Sequence, residues 1–108
     1  MMNETLKGAL LQNWEHAHEL NTFVEARVYD PASICEWYLI AMNPDNNDEI
    51  AAIVCKDTIE LEMININDLL TTLNSEGLPL VWDEHFRRDK GLKIWSRLKK
   101  QRNGTYGL

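Results

Sequence analysis

Ile50-Ala51-Ala52-Ile53-Val54-Cys55-Lys56-Asp57-Thr58-Ile59-Glu60-Leu61-Glu62-Met63-Ile64 decides how the rest of the chain is read. Its first six residues are an unbroken apolar run that reads as a short strand. From Thr58 the character alternates, with Ile59, Leu61 and Met63 on one side and Glu60 and Glu62 on the other. A period of two marks a strand with one wet face. Lys56-Asp57 between the two runs reads as a two-residue hairpin turn. The stretch therefore predicts two adjacent antiparallel strands.

Working back, Ile34–Met42 is a further strand, apolar on both faces, with Trp37 and Tyr38 adjacent as in a central position. Thr22–Tyr29 alternates, with Val24, Ala26 and Val28 opposite Glu25 and Arg27. Asp30-Pro31-Ala32-Ser33 supplies the turn between them, and Pro31 ends the ladder because it has no amide hydrogen. Four strands in sequence make a meander. The connection Asn43–Asp48 spans six residues, and Asp45, Asn47 and Glu49 alternate there as oxygen donors. An EF-hand calcium loop needs Gly at its sixth position and Glu at its twelfth. Ile50 and Lys56 stand there instead, so the segment reads as a solvated acidic turn.

Helices are expected on either side of this meander. Leu6, Leu10, Trp14 and Ala17 fall on one stripe of a helix over residues 4–20, which Asn3 can cap. His16 and His18 lie in its last turns, too far apart around the axis to share a metal, and are read as solvent-facing or capping. Asn65-x-x-Asp68 opens a second helix over about 66–74 that buries Ile66, Leu69, Leu70 and Leu73, with Gly77 as its left-handed stop. A third helix, over about 91–102, sets Leu92, Ile94, Trp95 and Leu98 against Lys90, Lys93, Arg97 and Lys100. Asn103–Leu108 is expected to fray. The fold class that follows is α+β: a single domain over 1–108, an antiparallel four-stranded meander with the N-terminal, middle and C-terminal helices packed on one face.

Length and composition agree with one domain, at 108 residues, 44% apolar and 26% charged. Cys35 and Cys55 sit in strand-like runs and read as two buried free thiols, since no C-x-x-C pair is present. The N-terminus has no basic start followed by a long apolar region, so no secretory signal is expected. No apolar run reaches the roughly 18 residues of a membrane span. The expected setting is cytoplasmic, with no membrane partner.

Charge divides the chain sharply. Residues 1–86 hold 16 acidic and 3 basic side chains, a formal −13, whereas residues 87–108 hold 8 basic and 1 acidic, a formal +7. Two binding surfaces are therefore candidates. One is basic, carried by Arg87, Arg88, Lys93, Arg97 and Lys100, and could neutralise phosphates. The other is acidic, carried by Glu25, Glu36, Glu60 and Glu62, and could meet a basic protein. The strongly negative body repels nucleic acid at long range, so a protein partner is expected over nucleic acid. Trp95 lies on the apolar arc of its helix, which favours core packing over base stacking.

At the charge boundary, Gly77–Arg88 gathers Asp83, Glu84 and His85 between Trp82 and Phe86. Asp83 and His85 are the candidate catalytic pair, as an acid and base that orient one another. The alternative is structural, with Asp83 capping a turn and His85 bonded to backbone. No nucleophile elbow, phosphate-binding Gly-rich loop or metal motif accompanies them, so the expectation leans away from an enzyme, with no cofactor and no metal.

Tyr29-Asp30-Pro31, Trp37-Tyr38, Glu60-Leu61, Asn65-Ile66-x-Asp68-Leu69, Gly77-Leu78-Pro79-Leu80 and Asp83-x-His85-Phe86 occur in that order. Together they resemble the small bacterial family known as domain of unknown function 2958, over about residues 25–88. Its members are often carried on plasmids, phages and conjugative elements. Glu62 stands where the family usually has Gly, and Val81 and Trp82 where polar residues are usual. The resemblance implies the fold and a mobile-element context, with no catalytic residues attached.

Overall fold

The apolar and alternating runs pair into one antiparallel sheet in the computed structural model, which describes residues 2–17, 19, 22–87 and 92–102. The strands are β1 (Ala26–Tyr29), β2 (Glu36–Asn43), β3 (Asn46–Cys55), β4 (Ile59–Asn65) and β5 (Val81–Trp82). The helices are α1 (Glu4–Gln12), α2 (Ile66–Thr71) and α3 (Leu92–Arg102), with a short 3-10 turn at Trp14–His16. The sheet order is β4-β3-β2-β1-β5. The four-stranded meander is present, and a fifth strand extends it: Val81 and Trp82 pair with Tyr29 and Val28.

Helices cover both faces of the sheet, not one. Leu10 of α1 and Ile66 and Leu69 of α2 pack with Ala26, Val28, Leu39, Ile50, Ala52 and Val54. Ile94, Trp95 and Leu98 of α3 pack with Tyr38, Ile40, Ile53, Cys55 and Ile59 on the opposite face. The continuous apolar runs of β2 and β3 require this arrangement, since strands apolar on both sides need cover on both.

A bulge marks β2. Leu39 pairs with Ala52 but Ala41 pairs with Ala51, so Ile40 is the extra residue, and Ile40 and Ala41 both turn to the α3 side. The displaced Ile40 carbonyl accepts from Asn13 Nδ2 at 3.0 Å, and the same amide donates to Glu25 Oε2 at 2.8 Å. Asn13 thereby ends α1 well before residue 20. The helical stripe divides there: Leu6 and Leu10 lie on the α1/α2 side, Trp14 and Ala17 on the α3 side. Val24 divides from Ala26 and Val28 in the same way, because the regular strand begins only at Ala26.

Local chemistry moves other boundaries. Asn43 pairs with Asn46, so the acidic connection is a tight turn and β3 begins at Asn46. Cys55 pairs with Ile59, leaving three residues rather than two in the next turn, closed by Lys56 N–H donating to Thr58 O at 2.9 Å. The caps behave as their sequences suggest: Asn3 accepts from Leu6 N at 2.8 Å and Asn65 from Asp68 N at 3.0 Å. However, α2 stops at Thr71, where Thr71 and Thr72 hydroxyls donate back to Asp68 O. Leu73 is exposed, and Gly77, with φ of +77°, serves the 74–78 turn rather than the helix end. Cys55 is buried, whereas Cys35 lies in the turn before β2 and is only half-buried; both are free. His18, Arg88, Lys90, the side chains of Leu92 and Lys93, and the tail 103–108 lie outside the described residues.

Candidate functional site

Arg27 sits in β1 with its side chain on the α3 side of the sheet. Tyr38 is directly across from it on β2, and Glu36 lies diagonally, opposite Tyr29. On the other flank, Asp83 N–H donates to Arg27 O at 2.9 Å just past β5. Three strands thus bring four polar side chains together from positions far apart in sequence. Arg27 Nε and Nη2 donate to Glu36 Oε1 at 2.9 and 2.5 Å, and Nη1 donates to Asp83 Oδ2 at 2.9 Å. The Tyr38 hydroxyl donates to the same Glu36 oxygen at 3.1 Å. The guanidinium carbon stands 4.4 Å from the centre of the Tyr29 ring, a cation–π placement.

The Phe86 ring meets Tyr38 edge-on, with centroids 6.0 Å apart. Arg27, Glu36, Tyr38, Asp83, His85 and Phe86 enclose a cleft of about 300 Å³. A second cavity of about 510 Å³, between α1 and the Trp82–Phe86 turn, shares Asp83 and Phe86 as a wall.

The electrostatics follow from this geometry. Partial burial alone would lower the Arg27 pKa, but its bonds to Glu36 and Asp83 hold it well above the ordinary value. Burial, aided by the Glu36 charge, pushes the Tyr38 hydroxyl up. Glu36 and Asp83 are therefore acceptors already engaged by Arg27, and the trio carries a net −1.

Asp83 meets His85 through the backbone: its Oδ1 accepts from His85 N at 3.0 Å, while Oδ2 holds Arg27. Phe86 N donating to Asp83 O at 3.3 Å closes the turn. This is a side-chain cap of a turn. None of the cleft-lining residues is a Ser, Thr or Cys. Cys55 is buried, and desolvation pushes its thiol up despite nearby Arg97, which keeps it a poor nucleophile. Among the described residues no cluster of His, Cys, Asp and Glu is placed to hold a metal.

The acidic set is split by the sheet. Glu36 pairs with Cys55, whose side chain faces α3, whereas Glu60 and Glu62 pair with Val54 and Ala52, which face α1 and α2. Glu25 is engaged by Asn13 beside the β2 bulge. Of the basic set, Arg87, Arg97 and Lys100 are exposed. Ile94, Trp95 and Leu98 are buried, and the Trp95 indole N–H donates to Thr22 O, so the basic helix docks on its own sheet.

Sequence reasoning singled out Asp83 and Glu36 but not Arg27, which joins them. The signal was available: Arg27 is the only basic residue between Lys7 and Lys56, set in a half-buried strand. Also unforeseen is an apolar groove of about 590 Å³ where Trp14, Glu15 and Ala17 face Ala51, Leu61, Glu62 and Met63. Among the described residues no helix is long and apolar enough to cross a membrane. No protein-family model, curated protein or solved structure matches this chain.

Proposed function

We propose that this chain is a small cytoplasmic protein-interaction module without catalysis of its own, serving as an inhibitor or accessory factor in a mobile-element-type system. The observation that carries the reading is the open apolar groove between the Trp14–Ala17 segment and β4, where Trp14, Ala17, Leu61 and Met63 are lined up with Glu15 beside them. Exposed apolar surface with a polar rim suits a protein partner. The Arg27 cleft supports the same reading, since its charged groups are engaged with one another in a fixed network. The mobile-element context rests on the family resemblance over about residues 25–88.

A second reading is nucleic-acid binding through α3, favoured by the exposure of Arg87, Arg97 and Lys100 while the apolar arc is buried. Affinity capture from the native host, with and without nuclease, separates the two. The module reading expects a protein retained after nuclease and retained equally by the Arg97→Glu/Lys100→Glu variant. Recovery of nucleic acid alone, lost in that variant, overturns it.

A further inference from the structure

The β4 edge of the sheet gives the module reading a specific surface. β4 ends the strand order, and its seven residues pair with β3 without a register shift. The opposite edge, β5, offers only two paired residues. Natural sheets blunt long edges with Pro, bulges or charged side chains, Lys above all; β4, Ile59-Glu60-Leu61-Glu62-Met63-Ile64-Asn65, has no Pro, Lys or bulge and carries charge on one side only, as Glu60 and Glu62. Its two sides differ. Glu60 and Glu62 are exposed on one, and neither they nor Glu15 have an ion-pair partner among the described residues. Leu61 and Met63 face the other, where they line the groove with Trp14 and Ala17, and Met63 is 46% exposed.

We propose, on the module reading above, that β4 binds an extended segment of a partner protein in which Lys or Arg alternates with Val, Ile or Leu. The segment adds a sixth strand to the sheet. Because neighbouring strands place facing residues on one side, its basic residues lie beside Glu60 and Glu62 while its apolar residues enter the groove over Leu61 and Met63. A second copy of this chain is the poorer occupant. Antiparallel pairing of two β4 strands centred on Glu62 sets Glu62 against Glu62, and centring on Leu61 sets Glu60 against Glu62 twice. Like charges directly opposite destabilise a pair, and each chain carries −6.

The test is a nuclear magnetic resonance titration of the full chain with a short peptide of alternating Lys and Val. The expected result is slowed amide exchange over residues 60–65, shifts at the Met63 methyl, and affinity that falls with salt. Glu60→Gln/Glu62→Gln, both exposed, should weaken binding by about tenfold, the sum of two cross-strand charge pairs. Equal binding of the same peptide N-methylated throughout, which cannot complete a ladder, overturns the strand-addition geometry. Equal binding of an alternating Glu–Val peptide, shifts centred on the Arg27 cleft or α3, or a chain that dimerises through β4 in light scattering also overturns it. Host capture distinguishes the two levels. A nuclease-resistant protein partner retained equally by Glu60→Lys/Glu62→Lys removes the β4 surface and leaves the module reading standing. Capture of no protein removes both.

Discussion

Arg27 is a cation shared by Glu36 and Asp83, all three about a quarter exposed. Replacing it by Met leaves two largely buried carboxylates without the guanidinium that neutralises them. The expected cost is about 2–3 kcal/mol, below the figure for a fully buried pair because water reaches the site. Chemical denaturation measures it, and Glu36→Gln in the same background should recover part of the loss, since one orphaned charge is gone. Asp30 makes a pH-dependent contribution. Its carboxylate accepts from Ala32 N, Ser33 Oγ and Asn74 Nδ2, tying the β1–β2 turn to the 74–78 turn. The Ala32 amide first, then the Ser33 hydroxyl, hold its pKa below the usual carboxylate value. A depressed folded pKa contributes stability above the unfolded value, about 4, and that contribution is lost as pH falls through the folded value. Asp30→Asn should therefore flatten the fall of stability below about pH 4 and leave the profile near neutrality parallel to wild type, which denaturation midpoints across pH would show.

Among the elements, α3 separates packing from charge most cleanly. Trp95 is 2% exposed and its indole N–H is bonded to Thr22 O, 73 residues away. Trp95→Ala should cost about 3–5 kcal/mol. Arg97→Glu/Lys100→Glu, at exposed positions, should cost no more than about 1 kcal/mol per pair. Thermal melting of both variants checks the order, and an unchanged Trp95→Ala midpoint would contradict the docked helix. The amphipathic stripe of α3 made its docking legible in sequence, as alternation made β1 and β4 legible. Which face of the sheet each helix takes was not legible, because strands apolar on both sides accept a stripe on either. The Ile40 bulge was hidden for the same reason, since an unbroken apolar run shows no slip in period. With only two paired residues, β5 is too short for any periodicity. Asp83 and His85 stood out as a local cluster, yet the Arg27 that engages Asp83 comes from 56 residues away, beyond the reach of spacing arguments.

For the molecule as a whole, the charge boundary and the layer boundary coincide. The acidic stretch 1–86 builds all five strands, α1 and α2, and the basic stretch 87–108 supplies the helix that closes the second face. Without α3, Tyr38, Ile40, Ile53, Cys55 and Ile59 lose the cover of Ile94, Trp95 and Leu98. The partly buried residues packed against that cluster, Trp14, Ala17, Leu61 and Phe86, are too few to replace it. Deleting residues 90–108 also removes six cations and no anion, taking the formal charge from −6 to −12. Lost burial and greater self-repulsion act in the same direction. The truncated chain should therefore melt broadly and at lower temperature, bind a hydrophobic dye, and recover some stability in high salt, where screening removes the charge contribution but not the exposed face. Calorimetry of the two chains at low and high salt measures both contributions. A truncated chain that melts cooperatively at the full-length temperature would mean that the sheet holds its α3 face without the helix, and that the basic segment is free to serve a partner.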